Sequence, residues 1–272
     1  MMWTSPPVQE IDLVLLLILA AVALLAGFFD AIAGGGGLIT LPMLFMVGID
    51  PLAALATNKL QAASATVSAT VTFARRGMLD WRSGWPMALM AFAGGAVGAL
   101  SLRLVSTELL QAAVPALLVG VAAWFAFSPK LNDQQLRTPR LSIRLFCLLV
   151  APLLGFYDGV FGPGVGSFLM LAFILLLGQG LLRAVANSKL LNAACNLGAL
   201  SVFAASGAIL WPLALVMALF AVIGAQLGAR CAVYFGPRLI RPLVVTVCCV
   251  MALKLLLDAS NPLVEWVVMT WP

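Results

Sequence analysis

Long apolar runs recur from one end of the sequence to the other, and they limit most strongly how it can fold. Hydrophobic residues make up 63% of the 272 residues and charged residues only 9%, whereas a soluble domain carries roughly 25% charged residues. So few polar side chains cannot cover a globule in water. Because apolar runs of about 20 residues match the thickness of a bilayer, the sequence predicts an all-α polytopic membrane protein.

The run from Ile11 to Ile32 is the first of these segments. It is longer than the apolar region of a signal peptide, and the acidic residues Glu10 and Asp12 stand where a signal peptide has basic ones. We therefore expect this run to be the first membrane segment of the mature chain.

The residue types that are missing exclude several classes of function. The sequence has no histidine, which removes histidine metal sites, histidine proton relays and histidine-dependent catalytic triads. Its five cysteines lie in or beside apolar segments without metal-ligand spacing, and we expect them to be buried hydrophobic residues. The net charge of +5 comes from a few short loops, as in cytoplasmic loops of membrane proteins. We expect no catalytic residue, metal site, cofactor or nucleic-acid partner.

One motif occurs twice in the sequence. The stretch "GFFDAIAGGGG" returns in the second half as "GFYDGVFGPGVG". Asp30, a pair of glycines and Lys59 in the first half recur in the same order as Asp158, a second pair of glycines and Lys189. The sequence therefore predicts two copies of one structural unit.

The two copies divide the chain into a first transmembrane repeat, a cytoplasmic linker and a second transmembrane repeat, at residues 1–128, 129–143 and 144–272. Each repeat contains about five apolar segments. They cover residues 11–33, 38–48, 51–75, 84–102 and 108–127 in the first repeat, and 144–161, 165–178, 181–205, 212–230 and 239–257 in the second. The second segment, around Ile39–Val47, is too short to cross a membrane alone, and its sequence leaves open whether it spans or re-enters.

The loop charges indicate that the repeats have opposite orientations. The loop after the third segment is basic in the first repeat, at Arg75, Arg76 and Arg82, and uncharged in the second. The loop after the fourth segment shows the reverse, with Arg230 and Arg238 in the second repeat. Because basic loops stay in the cytoplasm, equivalent loops face opposite sides. This pattern predicts inverted repeats, as in many secondary transporters, with both termini in the periplasm.

Four charged residues lie within the apolar segments instead of at their ends: Asp30, Lys59, Asp158 and Lys189. A charge near the bilayer centre costs at least about 2.5–3.5 kcal/mol, so such residues usually face a cavity or one another. If a helix begins after Asp50 as its N-cap, the first lysine lies about 12 Å along the axis, well inside the hydrocarbon. We expect the aspartates to balance the lysines or to carry a coupled proton.

Amide and hydroxyl side chains accompany each lysine. Asn58 and Gln61 lie near the first lysine, and Asn192 and Asn196 share a helix face with the second. Such residues either line a substrate pathway or hydrogen-bond neighbouring helices. We favour the pathway for the amide groups beside the lysines. We favour interhelical hydrogen bonds for a stripe on the first of these helices, formed by Thr57, Gln61, Ser64, Ser68 and Thr72.

Glycine-rich stretches break the apolar segments at Gly34–Gly37 and in the "GPGVG" of residues 162–166. Non-helical backbone at membrane depth is tolerated only where protein or a water-filled cavity satisfies it. Half-helices that begin after the breaks would direct N–H groups and positive dipole ends at that cavity. We therefore expect Gly35, Gly36 and Gly164 to help form an anion site, with close helix packing as the alternative.

Two further glycine pairs, Gly94/Gly98 and Gly224/Gly228, occupy equivalent positions in the two repeats. A Gly-x-x-x-Gly pair lets two membrane helices approach closely. We expect these pairs to serve helix packing, and an interface in a homo-oligomer is the alternative use.

With these motifs, "GFFDAIAGGGG…TNKLQA" and "GFYDGVFGPGVGSF…ANSKLLNAACNLG", the sequence resembles the TauE/SafE family of membrane transporters over essentially its whole length. The resemblance implies transport of small anions, often sulfur-containing, across the plasma membrane, which is the inner membrane in bacteria. The motif residues that it implies for function are Asp30, Gly34 to Gly37, Asn58, Lys59, Asp158, Gly162, Gly164, Lys189 and Asn192.

These features favour a secondary transporter of a small anion that works by alternating access, and the resemblance implies that it exports an anion such as sulfite or an organosulfonate. Lys59 and Lys189 would attract the anion. Asn58, Asn192 and Asn196 would hydrogen-bond its oxygens. A passive anion channel is the alternative. A membrane enzyme or assembly factor is disfavoured because the sequence offers no nucleophile–base pair, metal constellation or sizeable soluble domain. The expected partners are the small anion and the lipid bilayer.

Overall fold

The computed structural model describes residues 12–102 and 138–235. Every regular element in these two ranges is helical, which confirms the predicted all-α class. The helices are α1 (Leu13–Ala33), α2 (Gly36–Met46), α3 (Pro51–Arg75), α4 (Trp81–Ser101), α5 (Ile143–Val160), α6 (Val165–Leu175), α7 (Leu181–Ser206) and α8 (Trp211–Phe235). Among them, α1, α4, α5 and α8 are long and apolar enough to cross a membrane. The predicted segments at 108–127 and 239–257, and both termini, lie outside the described residues.

The helix boundaries follow local signals in the sequence. α3 begins at Pro51, a residue suited to the first turn because the N–H that it lacks would have no helical partner there. The carboxylate of Asp50 accepts hydrogen bonds from two main-chain N–H groups of that turn. α5 contains a π-helical stretch, Phe146–Val150, just before Pro152. A proline has no N–H to donate and crowds the preceding turn, which accounts for the wider turns at this point.

α2 and α6 are short because glycines break the helix before each of them. Gly34 and Gly35 have φ angles of 74° and 124°, and Gly162 and Gly164 have φ angles of 93° and 78°. Residues with a side chain rarely adopt these conformations. Each short helix has 11 residues, about 16 Å, too few to cross the hydrocarbon core. The glycine runs therefore interrupt the helices at the positions predicted from the sequence.

The helices from the two halves of the chain are interleaved. α8 packs along α1 and α3, and α4 packs along α5 and α7. α3 and α7 also pack against each other. Since α1–α4 belong to the first repeat and α5–α8 to the second, the fourth helix of each repeat contacts the first and third helices of the other.

The two Gly-x-x-x-Gly pairs lie in these contacts between the repeats. A Cβ atom added to Gly94 or Gly98 would overlap main-chain carbonyl groups of α5, and one added to Gly224 or Gly228 would overlap those of α1. The expected helix packing through glycine is confirmed. Because helices of the same chain already cover these glycines, they present no free surface to a second copy.

Polarity is distributed as a lipid environment requires. The outward faces of α1 and α5 carry exposed apolar side chains, such as Leu13 and Leu153, which are 66% and 67% exposed. The polar helices α3 and α7 instead bury most of their polar residues. Lys59 and Lys189 are among the largest fully buried side chains of the described residues. The buried charged side chains therefore lie in the interior, away from the apolar outer faces of the helices.

Candidate functional site

The two helix breaks meet at the centre of the molecule. A Cβ atom on Gly34 would overlap the main chain of Gly166 and Ser167, in the first turn of α6. The hydroxyl of Ser167 lies 2.7 Å from the carbonyl oxygens of both Ala33 and Gly34. The break before α2 is therefore held against the first turn of α6, and the N-terminal ends of the two half-helices converge.

Both buried lysines reach this meeting point, and each one pairs with an aspartate of the other repeat. Lys59 Nζ lies 3.0 Å from Asp158 Oδ1, and Lys189 Nζ lies 3.3 Å from Asp30 Oδ2. Both lysines are only 1% exposed. The sequence predicts that these charges lie together, but the two motifs alone do not indicate that the pairing is exchanged between the repeats.

Asp30 has two roles at the break. Its Oδ1 accepts hydrogen bonds from the main-chain N–H groups of Gly35 and Gly36, at 2.9 and 3.1 Å. The carboxylate thus caps the N-terminal end of α2. The N–H groups that were expected to point at a bound anion are, in this repeat, already directed at a carboxylate of the protein.

Asp158 is placed differently at the end of α5. Lys59 donates to its main-chain carbonyl as well as to Oδ1, so the lysine also caps the C-terminal end of that helix. The other carboxylate oxygen, Oδ2, is buried and has no hydrogen-bond partner among the described residues. A buried polar atom without a partner is uncommon and points to a functional use.

Amide side chains surround the ammonium of Lys59. Asn196 Oδ1 lies 3.4 Å from Lys59 Nζ, and Asn196 Nδ2 donates to Asn192 Oδ1 at 2.8 Å. Asn58 also lines the cavity, and its Oδ1 accepts a hydrogen bond of 2.6 Å from Thr40. The cluster combines one cation with several amide groups, which suits the oxygen atoms of a small anion.

These groups enclose a cavity of about 20 Å³. A water molecule needs about 10–15 Å³ measured in this way, so the cavity holds about one water. An anion with several oxygens needs more space than this. The cavity is lined by Asp30, Gly35, Gly36, Gly37, Asn58, Lys59, Ala62, Asp158, Gly162, Val165, Gly166, Asn192 and Asn196.

Besides Gly34, which packs against the first turn of α6, three predicted site residues do not line this cavity. Lys189 lies behind Gly166, where an added Cβ would come within 3.2 Å of Nζ. Gly164 is the left-handed residue before α6 and shapes the break instead of facing the cavity. Gln61 is buried away from the cavity, and its Oε1 has no hydrogen-bond partner within the described part of the chain.

Sequence reasoning missed Thr40, which contacts Asn58 from the first turns of α2. A lone threonine in an apolar half-helix was the signal that could have identified it. Ala62 and Val165 also line the cavity, and nothing in their side chains distinguishes them from ordinary apolar residues.

The hydroxyl stripe on α3 serves mainly the helix itself. Ser64 and Thr72 donate to main-chain carbonyl groups one turn earlier on α3. Thr57 accepts a hydrogen bond of 3.2 Å from the main-chain N–H of Leu210, in the loop just before α8. The hydrogen bond of Thr57 therefore joins the stripe to a loop and not to a neighbouring helix.

Comparison with known proteins extends these observations. The family model described as sulfite exporter TauE/SafE matches residues 19–255. A probable membrane transporter protein of Sinorhizobium, ORF9, is 45% identical over 258 residues, which cover 95% of this chain and 98% of the relative. A probable membrane transporter protein of Haemophilus influenzae is 43% identical over 250 residues, 92% of this chain and 98% of the relative. The probable membrane transporter protein YfcA of Escherichia coli K12 is 42% identical over 253 residues, 93% and 94% of the two chains. No solved structure gives a significant match.

Proposed function

The chain belongs to the TauE/SafE family of membrane transporters, and we propose that it is a secondary transporter which exports a small anion across the bacterial inner membrane. Sulfite and organosulfonates are the proposed substrates. The family model is described as a sulfite exporter, and the cavity offers an ammonium and amide groups that suit a compact oxyanion.

The exchanged ion pairs are the observation that supports this proposal most. The lysine of each repeat lies against the aspartate of the other, where the two half-helices meet. Burying a lysine costs free energy of desolvation unless an opposite charge lies beside it. An anion that enters the cavity takes over part of the aspartate's role for Lys59, so binding and release change the contacts between the repeats.

We propose that the repeats are inverted and that one moves against the other during transport. Two observations support this part of the proposal. The basic loops alternate between equivalent positions of the repeats, and the fourth helix of each repeat packs on the first and third helices of the other. Exchanged packing of this kind suits alternating access around a central site. In this arrangement both termini lie in the periplasm.

Anion counterflow in liposomes tests the proposal. The purified protein is reconstituted, and exchange of labelled sulfite and of methanesulfonate is followed for Lys59→Gln, Lys189→Gln and the control Arg183→Gln. Arg183 lies on α7, as Lys189 does, but is exposed. A charge-assisted hydrogen bond contributes about 1.5–3 kcal/mol, so losing the contact with Lys59, the lysine that lines the cavity, should weaken anion binding by about 10- to 150-fold.

The same experiment separates the candidate functions. Counterflow that depends on both lysines supports the transporter. Flux that follows the membrane potential and shows no counterflow indicates the passive channel instead. If both lysine variants exchange anions as fast as Arg183→Gln, the assignment of the lysines is wrong.

A further inference from the structure

The two buried aspartates differ in how their oxygens are used. Both oxygens of Asp30 are engaged, Oδ1 by the N–H groups of Gly35 and Gly36 and Oδ2 by Lys189 at 3.3 Å. For Asp158, Lys59 engages Oδ1 at 3.0 Å, whereas Oδ2 is buried without a hydrogen-bond partner in the described ranges. Asp158 is 1% exposed and lines the cavity. One aspartate is therefore fully satisfied, and the other has an oxygen free to bind a proton.

The sequence explains this difference. When the two motifs are aligned, Pro163 occupies the position of Gly35. The N–H of Gly35 donates to Asp30, but a proline has no N–H to donate. Asp158 therefore cannot receive the hydrogen bond equivalent to that of Gly35, and the second motif offers its carboxylate one main-chain donor fewer.

We propose that Asp158 takes up one proton together with each transported anion, that Asp30 stays ionised as the cap of α2, and that the anion is monovalent. This inference rests on the transport function proposed above. A proton from water bonds to Asp158 Oδ2, and the carboxylate loses its charge. Lys59 then lacks a counter-ion, and the anion takes the place of the carboxylate beside its ammonium. When the anion leaves, the proton leaves as well, and the Lys59–Asp158 pair forms again.

The titratable groups near Asp158 come from the helices packed around the end of α5. α3 contributes Lys59, α1 contributes Asp30, and α7 contributes the thiol of Cys195, while Lys189 of α7 faces Asp30. α4 and α6 also pack against α5. The titratable side chain of α4 is Arg82, in its exposed first turn, and α6 has none.

Within the described residues, the buried charged side chains are two lysines and two aspartates, so their charges cancel. One monovalent anion plus one proton keeps the sum at zero. A divalent anion with one proton, or alternating binding of anion and proton, leaves a net buried charge, which is costly. Transport is then electroneutral, and its direction follows the combined gradients of anion and proton.

Anion binding as a function of pH tests the inference. Binding of methanesulfonate, which stays monovalent, is measured in detergent for the wild-type protein, Asp158→Asn and the matched control Asp30→Asn, with sulfate as divalent probe. Uptake of one proton on binding makes the wild-type Kd rise about tenfold per pH unit while the empty site is ionised. Asp158→Asn should bind with a Kd that changes less than twofold over the same range. Asp30→Asn should keep the wild-type slope.

A second measurement does not depend on the variants. In weak buffer with a pH-sensitive dye, the wild-type protein should take up one proton per methanesulfonate bound. In liposomes with the potential set by potassium and valinomycin, uptake should respond to a pH gradient and not to the potential. Asp158→Asn should exchange anions without responding to the pH gradient.

The opposite results overturn the inference. Binding without proton uptake, or a pH slope lost in Asp30→Asn and kept in Asp158→Asn, shows that Asp158 is not the proton site. Tighter binding of sulfate than of methanesulfonate contradicts the monovalent anion. If the wild-type protein binds none of the anions tested, the proposed function fails, and this inference fails with it.

Discussion

Replacing Lys59 with methionine tests the exchanged ion pairs directly. The substitution keeps a long flexible side chain and removes the ammonium that lies 3.0 Å from Asp158 Oδ1, where both residues are 1% exposed. Removing one partner of a buried ion pair costs about 3–5 kcal/mol, because the other charge stays buried and unpaired. At about 2–4 °C per kcal/mol for a chain of this size, the melting temperature should fall by about 6–20 °C.

A second substitution on this background identifies the partner of Lys59. Lys59→Met with Asp158→Asn removes the unpaired charge and should recover part of the loss. The recovery is incomplete by about 1–3 kcal/mol, because Asn196 Oδ1 and the main-chain carbonyl at position 158 still lack their donor. Lys59→Met with Asp30→Asn should be less stable than Lys59→Met alone, because Lys189 then loses its carboxylate too.

Thermal unfolding in detergent, followed by tryptophan fluorescence, compares these variants with the wild-type protein and with the two single aspartate variants. The six proteins form two double-mutant cycles that share Lys59→Met. A favourable coupling energy should occur with Asp158 and not with Asp30. If Asp30→Asn recovers stability and Asp158→Asn does not, each lysine pairs within its own repeat, and the exchanged arrangement is wrong.

Further expected outcomes concern packing, capping and orientation. Gly224→Ala should lower stability by about 1–3 kcal/mol because its Cβ overlaps a carbonyl of α1, whereas Gly180→Ala, with open space around it, should melt as the wild type does. Asp50→Ala removes the cap of α3 and should cost about 1 kcal/mol in the same melting assay. In a cysteine-free background, Arg76→Cys should react with an impermeant thiol reagent only from the cytoplasmic side and Ala205→Cys only from the periplasmic side; labelling of both from one side contradicts the inverted repeats.

The positions of the helices could be predicted because their signals are local. A helix that starts at Pro51 after the cap Asp50 needs no knowledge of its neighbours. The breaks at Gly34 and Gly162 are equally local, since only glycine adopts the φ angles found there without strain. The two copies of the motif support each other, because an interpretation of one applies to the other.

The composition of the site could be predicted in part, but its connections could not. Four charges in apolar segments must meet somewhere, because none of them is tolerated alone in lipid. Which lysine meets which aspartate depends on how α3 and α7 pack between the helices of the opposite repeat, and a repeated motif carries no information about that. The same limit explains Lys189, which shares the motif of Lys59 but lies behind Gly166 instead of lining the cavity.

The exchanged pairing has a consequence for how a transporter of this kind can move. Both ion pairs join one repeat to the other, so a displacement between the repeats stretches both of them at once. If the two ion pairs were equivalent, an anion would open either of them equally readily. They are not equivalent, because Gly35 donates an N–H to Asp30 and Pro163 has none for Asp158. In the proposed mechanism, the pair of Asp30 and Lys189 therefore holds the repeats together while the pair of Asp158 and Lys59 opens to admit an anion.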